Sequence, residues 1–363
     1  MHIVIISTPI GFLGSGKGGG VELTLNSLVN GLLAIGHKVD VVAPKNSKLL
    51  ETCKKAKLYF VEGEEQTSWQ HQDYYSSVSI PNNSLLSGMI EKAISIGKKA
   101  DIILNFAYDW LPIWMTLSLN TPIAHLISMG SESFVISNLI SYVYSKYPYN
   151  FAFHSKIQAS DYYFIKNPIV IGNGFELGNY IFQDCKNGPL GWVGRVAPEK
   201  GLEDAAYVAN VLGEKLNVWG IVQDESYALK IEKLCSPGIL EWKGFLETES
   251  LQKELGTCRA LLNTPKWNEA YGNVVVEALA CGVPVVAYKR GGPSEIIEHG
   301  KTGYLAKPDD KESLLNYLEI INKIDRKNCR EWVENNASSN IFASKVVNWL
   351  NSVIKENQSQ NLS

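Results

Sequence analysis

Short apolar segments alternate with helix-period segments along almost the whole chain. That alternation leaves few folds open, because it is the pattern of parallel sheets whose strands are joined by crossover helices. The first series of strand candidates runs His2–Ile6, Lys38–Ala43, Lys57–Val61, Asp101–Asn105, Pro122–Ile127, Phe151–Phe153 and Ile169–Ile171. The second runs Leu190–Val193, Leu216–Ile221, Ile239–Trp242, Ala260–Leu262, Pro284–Ala287 and Gly303–Leu305. Between the first two strands, Val21, Leu25, Leu28, Val29 and Leu32 recur at helical spacing until Gly36 stops the run. Leu202–Leu212 and Ser250–Gly256 read as helices of the second series, and two more helices close the chain.

A chain of 363 residues exceeds one ordinary core, so each series is expected to make its own domain. The polar Gly/Pro segment Gln183–Pro189 is the natural junction. The expected organisation is α/β: a Rossmann-like α/β/α domain over 1–183 and another over 184–340, with parallel sheets facing a central cleft. A helix in 341–355 is expected to cross back to the first domain, and 356–363 to form a disordered tail. Ligands of such sheets bind at the carboxyl ends of the strands.

The formal net charge of −3 excludes a broad basic surface and argues against nucleic acid as a partner. The six cysteines are scattered, with no Cys-x-x-Cys and no histidine spacing suited to zinc, as for thiols in a reducing compartment. Met1-His2-Ile3-Val4 enters a strand directly, without the basic stretch and cleavage site of a signal peptide, and no apolar run approaches the ~20 residues of a membrane span. A cytoplasmic location is therefore expected. The oligomeric state is left open.

Three segments carry chemistry. Gly11–Gly20 comes after the first strand and opens a helix. It nearly fits a P-loop, but Gly18 stands where a magnesium-binding Ser or Thr belongs. It nearly fits a dinucleotide fingerprint, but the strand ends too early and Asp40 lies at the wrong end of the second strand. What survives is backbone N–H approach to a phosphate at a helix N-terminus, against the alternative of a plain surface loop. Glu22, one turn in, favours the helix dipole. In the second segment, Arg195 is the first of only five arginines and stands directly after a strand, with Lys200 just before a helix. A planar fork and a point charge placed so can clamp a diphosphate.

The third segment, Asn268–Pro284, holds Glu269 on a loop and Glu277 eight positions on, in the second turn of a helix that starts near Gly272-Asn273 and ends at Cys281. A helix carboxylate can accept from two vicinal ribose hydroxyls, and a loop carboxylate can grip a pyranose hydroxyl. The bland reading of Glu277 by itself is a solvent-facing helix residue.

Together these segments resemble glycosyltransferase family four, of the GT-B fold. The resemblance runs through the glycine-rich loop, Gly194-Arg195…Lys200-Gly201, Glu269 and Glu277, Ala280–Val286, Gly291–Ile297 and Gly300–Leu305. It implies a retaining transfer of a hexose from a nucleotide diphosphate, with Arg195, Lys200, Glu269 and His125 as catalytic residues. Gly19, Gly20, Tyr271, Gly272, Asn273, Val274 and Glu277 would join Arg195, Lys200 and Glu269 in holding the donor. No metal and no cofactor are implied, since there is no Asp-x-Asp.

For the acceptor, Ser7–Gly16 and Gly20–Leu25 resemble the opening of cyanobacterial tetrahydrobiopterin glucosyltransferases, which implies UDP-glucose as donor and a reduced pterin as acceptor. Phe12, Gly16, Glu22, Tyr108 and Trp110 are the corresponding candidates. Phe106, Tyr108, Trp110 and Trp114 cluster after a strand and can stack a flat ring or simply pack a core. Alternatives are a lipid acceptor met by Lys54, Lys55, Lys57, Lys92, Lys98 and Lys99, a nucleotide-sugar epimerase, and a non-catalytic nucleotide-sugar binder.

Overall fold

The structure is a computed structural model describing residues 1–15 and 19–360. The chain forms two compact units, residues 1–175 with 339–363, and residues 176–338. The first holds seven strands: β1 His2–Ile6, β2 Lys38–Pro44, β3 Lys57–Val61, β4 Ile102–Asn105, β5 Ile123–Ile127, β6 Phe151–Phe153 and β7 Ile169–Val170. They lie in the order β3-β2-β1-β4-β5-β6-β7, all parallel. The second holds β8 Leu190–Val193, β9 Leu216–Trp219, β10 Leu240–Gly244, β11 Ala260–Asn263, β12 Val285–Tyr288 and β13 Gly303–Ala306, in the parallel order β10-β9-β8-β11-β12-β13.

Alternate residues of the first sheet's centre feed two cores, as a period of two requires. Ile3 and Ile5 pack with Leu25, Leu28 and Leu32 of the helix Gly20–Ala34. Val4 and Ile6 pack on the other face with Leu86, Met89 and Ile90 of the helix Leu85–Gly97. The closing helix Ser339–Gln360 joins the first core through Phe342, Val346, Trp349 and Leu350. Its Ala343 comes so close to Gly31 that a Cβ there would lie 2.8 Å from the alanine methyl, which explains a glycine inside a long helix.

Two features differ from the sequence expectation. The junction falls at Phe175/Glu176 rather than in Gln183–Pro189, because buried Arg326 holds that later segment in the second unit. Its guanidinium donates to Gln183 O (2.8 Å), Cys185 O (2.6 Å), Cys258 O (2.9 Å) and Gly256 O (3.0 Å). The expected tail from 356 is instead helical as far as Gln360, where Asn357 Nδ2 donates to Asn150 Oδ1 (2.9 Å) and Val353 O (2.9 Å). Among the described residues, no helix is long and apolar enough to cross a membrane.

Candidate active site

In both sheets the strand order reverses direction at one place, between β1 and β4 and between β8 and β11. Loops leaving adjacent strands there diverge, and the crevice between them is where open α/β sheets take ligands. In the second unit those loops carry Arg195 and Lys200 after β8, and Glu269 after β11.

Lys200 Nζ donates to Glu269 Oε1 at 2.5 Å, with both side chains largely buried, and lies 5.0 Å from the centre of the Trp267 ring. The two loops are tied by backbone: Lys266 N donates to Glu199 O (2.8 Å), and Thr264 Oγ1 donates to Gly201 O (2.7 Å). Gly201 is left-handed (φ 66°) and packs directly on the Thr264 carbonyl. A third loop, after β12, closes on Glu269. Gly292 N donates to Glu269 O (2.7 Å), and a Cβ on Gly291 would sit 2.5 Å from Glu269 N. The glycines of Gly291-Gly292 are therefore required by close backbone approach, at the segment that presents Glu269.

Arg195 is differently placed. Its side chain is 40% exposed and is held by Gln223 Oε1 (2.5 Å) and Glu199 (3.2 Å), so its fork is open to solvent. Gly220 (φ 145°) packs against Gly194 O and leaves no room for a side chain beside the turn that presents Arg195.

Gly272 (φ 106°) starts the helix Asn273–Ala280, which carries Tyr271, Asn273 and Val274 at its head and Glu277 in its second turn. Glu277 is buried rather than solvent-facing, and accepts from Tyr180 Oη at 3.1 Å. Burial pushes its carboxyl up to about 7, partly offset by the tyrosine hydrogen bond. Gln223, Trp267 and Tyr180 were not singled out in the sequence. Trp267 adjoins the motif, whereas Tyr180 lies 97 residues from its partner and gives no local signal. A further cluster braces the loops: Arg290 donates to Pro265 O (2.8 Å) and Asp309 (2.5 Å), and Lys266 pairs with Asp309 (3.1 Å) and Asp204.

The first unit departs from expectation at several positions. His125 is fully buried in β5, with Thr116 Oγ1 2.7 Å from Nε2 and Asn105 Nδ2 3.2 Å from Nδ1, and it stacks on Phe151. Burial lowers its pKa to about 3. It is a core histidine, and the assignment to catalysis is corrected: no face of the ring is left for a sugar. Phe106 and Tyr108 are also core, the latter donating to Gly130 O (3.2 Å), and Trp110 packs half-buried against the same cluster. Glu22 is not an open ligand either: it accepts from Gly14 N (2.6 Å) and Ser15 Oγ (3.2 Å), folding the loop onto the helix. Gly19 caps that helix at φ 51°, Gly20 begins it, and Phe12 is exposed. Gly16 lies outside the described residues.

Residues 189–339 match the glycosyl transferases group 1 family. Within the chain, 101 residues (27%) are 35% identical to sucrose synthase of Acidithiobacillus caldus, covering 13% of that protein. Over 132 residues (36% of the chain) it is 33% identical to the Arabidopsis thaliana sulfoquinovosyl transferase SQD2, covering 25% of that protein. The chain thus matches well under two thirds of the length of these relatives. The structure of Anabaena HepE in complex with UDP superimposes with a TM-score of 0.73 and 18% identity, over 97% of this chain and 100% of that one. The fold is GT-B.

Proposed function

We propose that the chain is a retaining hexosyltransferase that moves glucose from UDP-glucose to a small ring acceptor, with a reduced pterin as the specific reading. The observation that carries it is the buried Lys200–Glu269 pair at the second sheet's switch point, inside the segment that matches the glycosyl transferases group 1 family. A lysine and a glutamate held together there suit the two ends of a sugar diphosphate. Lys200 answers the phosphate, and Glu269 accepts from a sugar hydroxyl.

In the reaction, the bond from the anomeric carbon to the diphosphate oxygen breaks and a bond from that carbon to the acceptor oxygen forms on the same face. The departing diphosphate takes the acceptor's proton, so UDP and the glucoside are the products. Lys200 and Arg195 stabilise the charge that grows on the leaving group, and each such contact supplies roughly 3 kcal/mol in the transition state. The head of the helix Asn273–Ala280 adds its amides to that field. Glu277 accepts from the ribose hydroxyls. No metal takes part, since the cations of the protein serve the diphosphate. HepE is a fold neighbour described with UDP, and sucrose synthases are relatives in sequence, which supports the donor class. The pterin rests on the opening residues.

The test is incubation of purified protein with UDP-, GDP- and ADP-sugars, with and without tetrahydrobiopterin, reading products by mass and anomeric configuration by NMR. UDP release with an α-glucoside product is expected. Absence of nucleotide release with every donor overturns the enzyme reading.

A further inference from the structure

Independently of the transferase reading, we propose that the second unit carries a separate binding site at the amino ends of its strands, and that this site takes a neutral polyhydroxylated molecule the size of a disaccharide. The site is a cavity of about 770 Å³, lined by residues at the starts of β8, β9, β10 and β11 and in the last turns of the helices Leu202–Leu212 and Lys311–Ile320. The switch-point loops leave the opposite ends of these strands, roughly 13 Å away by the length of the four-residue β8.

One buried side chain points to a ligand. Asn217, the second residue of β9, lines the cavity and is only 8% exposed. Its Oδ1 is buried without a hydrogen-bond partner among the described residues. The strand register explains why. Its neighbour on β8 is Gly191, which has no side chain, and its neighbour on β10 is Glu241, which brings only acceptors. Both Glu241 oxygens are in any case taken, by Lys215 (3.0 Å) and Lys243 (2.6 Å). Leaving a buried acceptor unpaired costs stability, so the position favours a bound donor. A half-turn of the amide offers its NH2 group instead, and a hydroxyl, at once donor and acceptor, suits either setting.

The wall sets the class of ligand. Three basic and three acidic side chains line the cavity, so it carries no net formal charge. Four of the six are paired: Lys215 with Glu241, and Arg259 with both oxygens of Glu214, at 2.6 and 2.7 Å. Arg259 also donates to Leu318 O (3.1 Å), a carbonyl in the last turn of its helix. Both helices bring their negative ends to the cavity, which disfavours a phosphate or a carboxylate. A cation would compete with the lysine and arginine that the acids already hold. A sugar has neither handicap. Its adjacent hydroxyls can donate to Glu241 or Glu214 while accepting from Lys215 or Arg259, and its C–H face can lie on half-buried Leu212. The cavity volume is within the range of small-molecule sites and exceeds what one sugar ring needs.

The probes are maltose and sucrose, with inorganic phosphate and glutamate as charged comparators, each titrated into the full chain by saturation-transfer NMR with and without excess UDP. At least one disaccharide should bind saturably, with the same affinity whether or not UDP is present. Asn217→Leu and Lys215→Met should each weaken that binding about tenfold. Asn217→Leu trades an unpartnered amide for an apolar group of similar size, so it should melt no lower than wild type. Lys215 is exposed, so Lys215→Met keeps the test open even if the first variant fails to fold. Binding of neither disaccharide overturns the proposal. So does binding that both substitutions leave unchanged or that UDP displaces, and so does a preference for phosphate or glutamate. UDP that fails to bind the wild type would instead sink the transferase reading and leave the disaccharide result standing, so the two failures are distinguishable.

Discussion

The two units lay their strands in one order around one kind of switch point and spend their polar side chains in different ways. In the first, strand β5 turns a histidine inward, and Asn105, Thr116 and Phe151 close around it, while Tyr108 and Tyr162 seal the neighbouring space with hydrogen bonds to Gly130 O. In the second, the loops at the switch point are lined with ions: Lys200 and Glu269 paired, Arg195 half in solvent. Topology thus fixes where a ligand can sit, and the local side chains decide what chemistry each place offers.

The largest effect expected from breaking this contrast is on catalysis by the second unit. Lys200→Met and Glu269→Gln should each lower the rate of UDP release from UDP-glucose by roughly 10²–10³-fold. Lys200→Met also leaves Glu269 without its cation, so it should raise KM as well as lower kcat. Steady-state kinetics on both variants checks this. Rates within threefold of wild type would remove the pair from the chemistry. Next comes Gly291→Ala. The added methyl meets Glu269 N at 2.5 Å in a backbone already at φ 62°, so the Glu269 loop must move. Activity should fall by roughly tenfold or more and stability by about 1–3 kcal/mol. A thermal melt and an activity assay on one preparation separate the two.

Much of this was legible in the chain. Alternating apolar segments identified every strand to within a residue or two, because a strand buried on both faces leaves a compact apolar run, as β1 does with Ile3–Ile6. The convergence of Lys200 and Glu269 was legible in part, from a lysine placed before a helix and a glutamate eight positions from a second one, and the structure brings those two side chains together. The failures share one cause. Burial is a property of the whole fold, so nothing local told that His125, Tyr108 and Glu22 would find partners inside the protein. Tyr180, which closes over Glu277, reads in sequence as part of the first domain. Only the fold shows Arg326 gripping the carbonyls of Gln183 and Cys185, which draws the whole segment into the second unit.

A pH series sharpens the comparison, since the first unit buries histidines and the second a glutamate whose shifts run in opposite senses. His125 is held at about 3, below its ordinary 6.5, so the unfolded chain binds the proton more readily. Its contribution to stability is full above 6.5 and is lost as pH falls toward 3, by at most about 1.4 kcal/mol per unit. His154, also buried and lowered to about 4, acts in the same sense. Glu277 is raised from 4.5 to about 7, so its contribution is present below 4.5 and is lost as pH rises through 7. Glu277→Gln keeps the Tyr180 hydrogen bond and should flatten the alkaline side of a melting-temperature profile. His125→Asn should flatten the acid side while costing stability near neutrality. Profiles that shift uniformly, without a change of slope, would refute both assignments.

The smallest effect expected is on stability at Arg195. Its side chain is half in solvent, and its partners Gln223 and Glu199 are themselves solvated, so an exposed pair of this kind contributes about 0.5 kcal/mol or less. Arg195→Ala should therefore melt within about a degree or two of wild type. Its affinity for UDP is another matter: a bidentate contact to phosphate is of the strong, charge-assisted kind, so binding should weaken roughly tenfold or more. Calorimetry with UDP, set beside the melt, reads both numbers. A residue that matters to the ligand and hardly at all to the fold is one poised for binding. Core His125 should show the reverse, with large cost to the fold and no change in UDP affinity. If Arg195→Ala binds UDP normally, the contrast between the charged switch-point loops and the buried His125 loses its functional meaning.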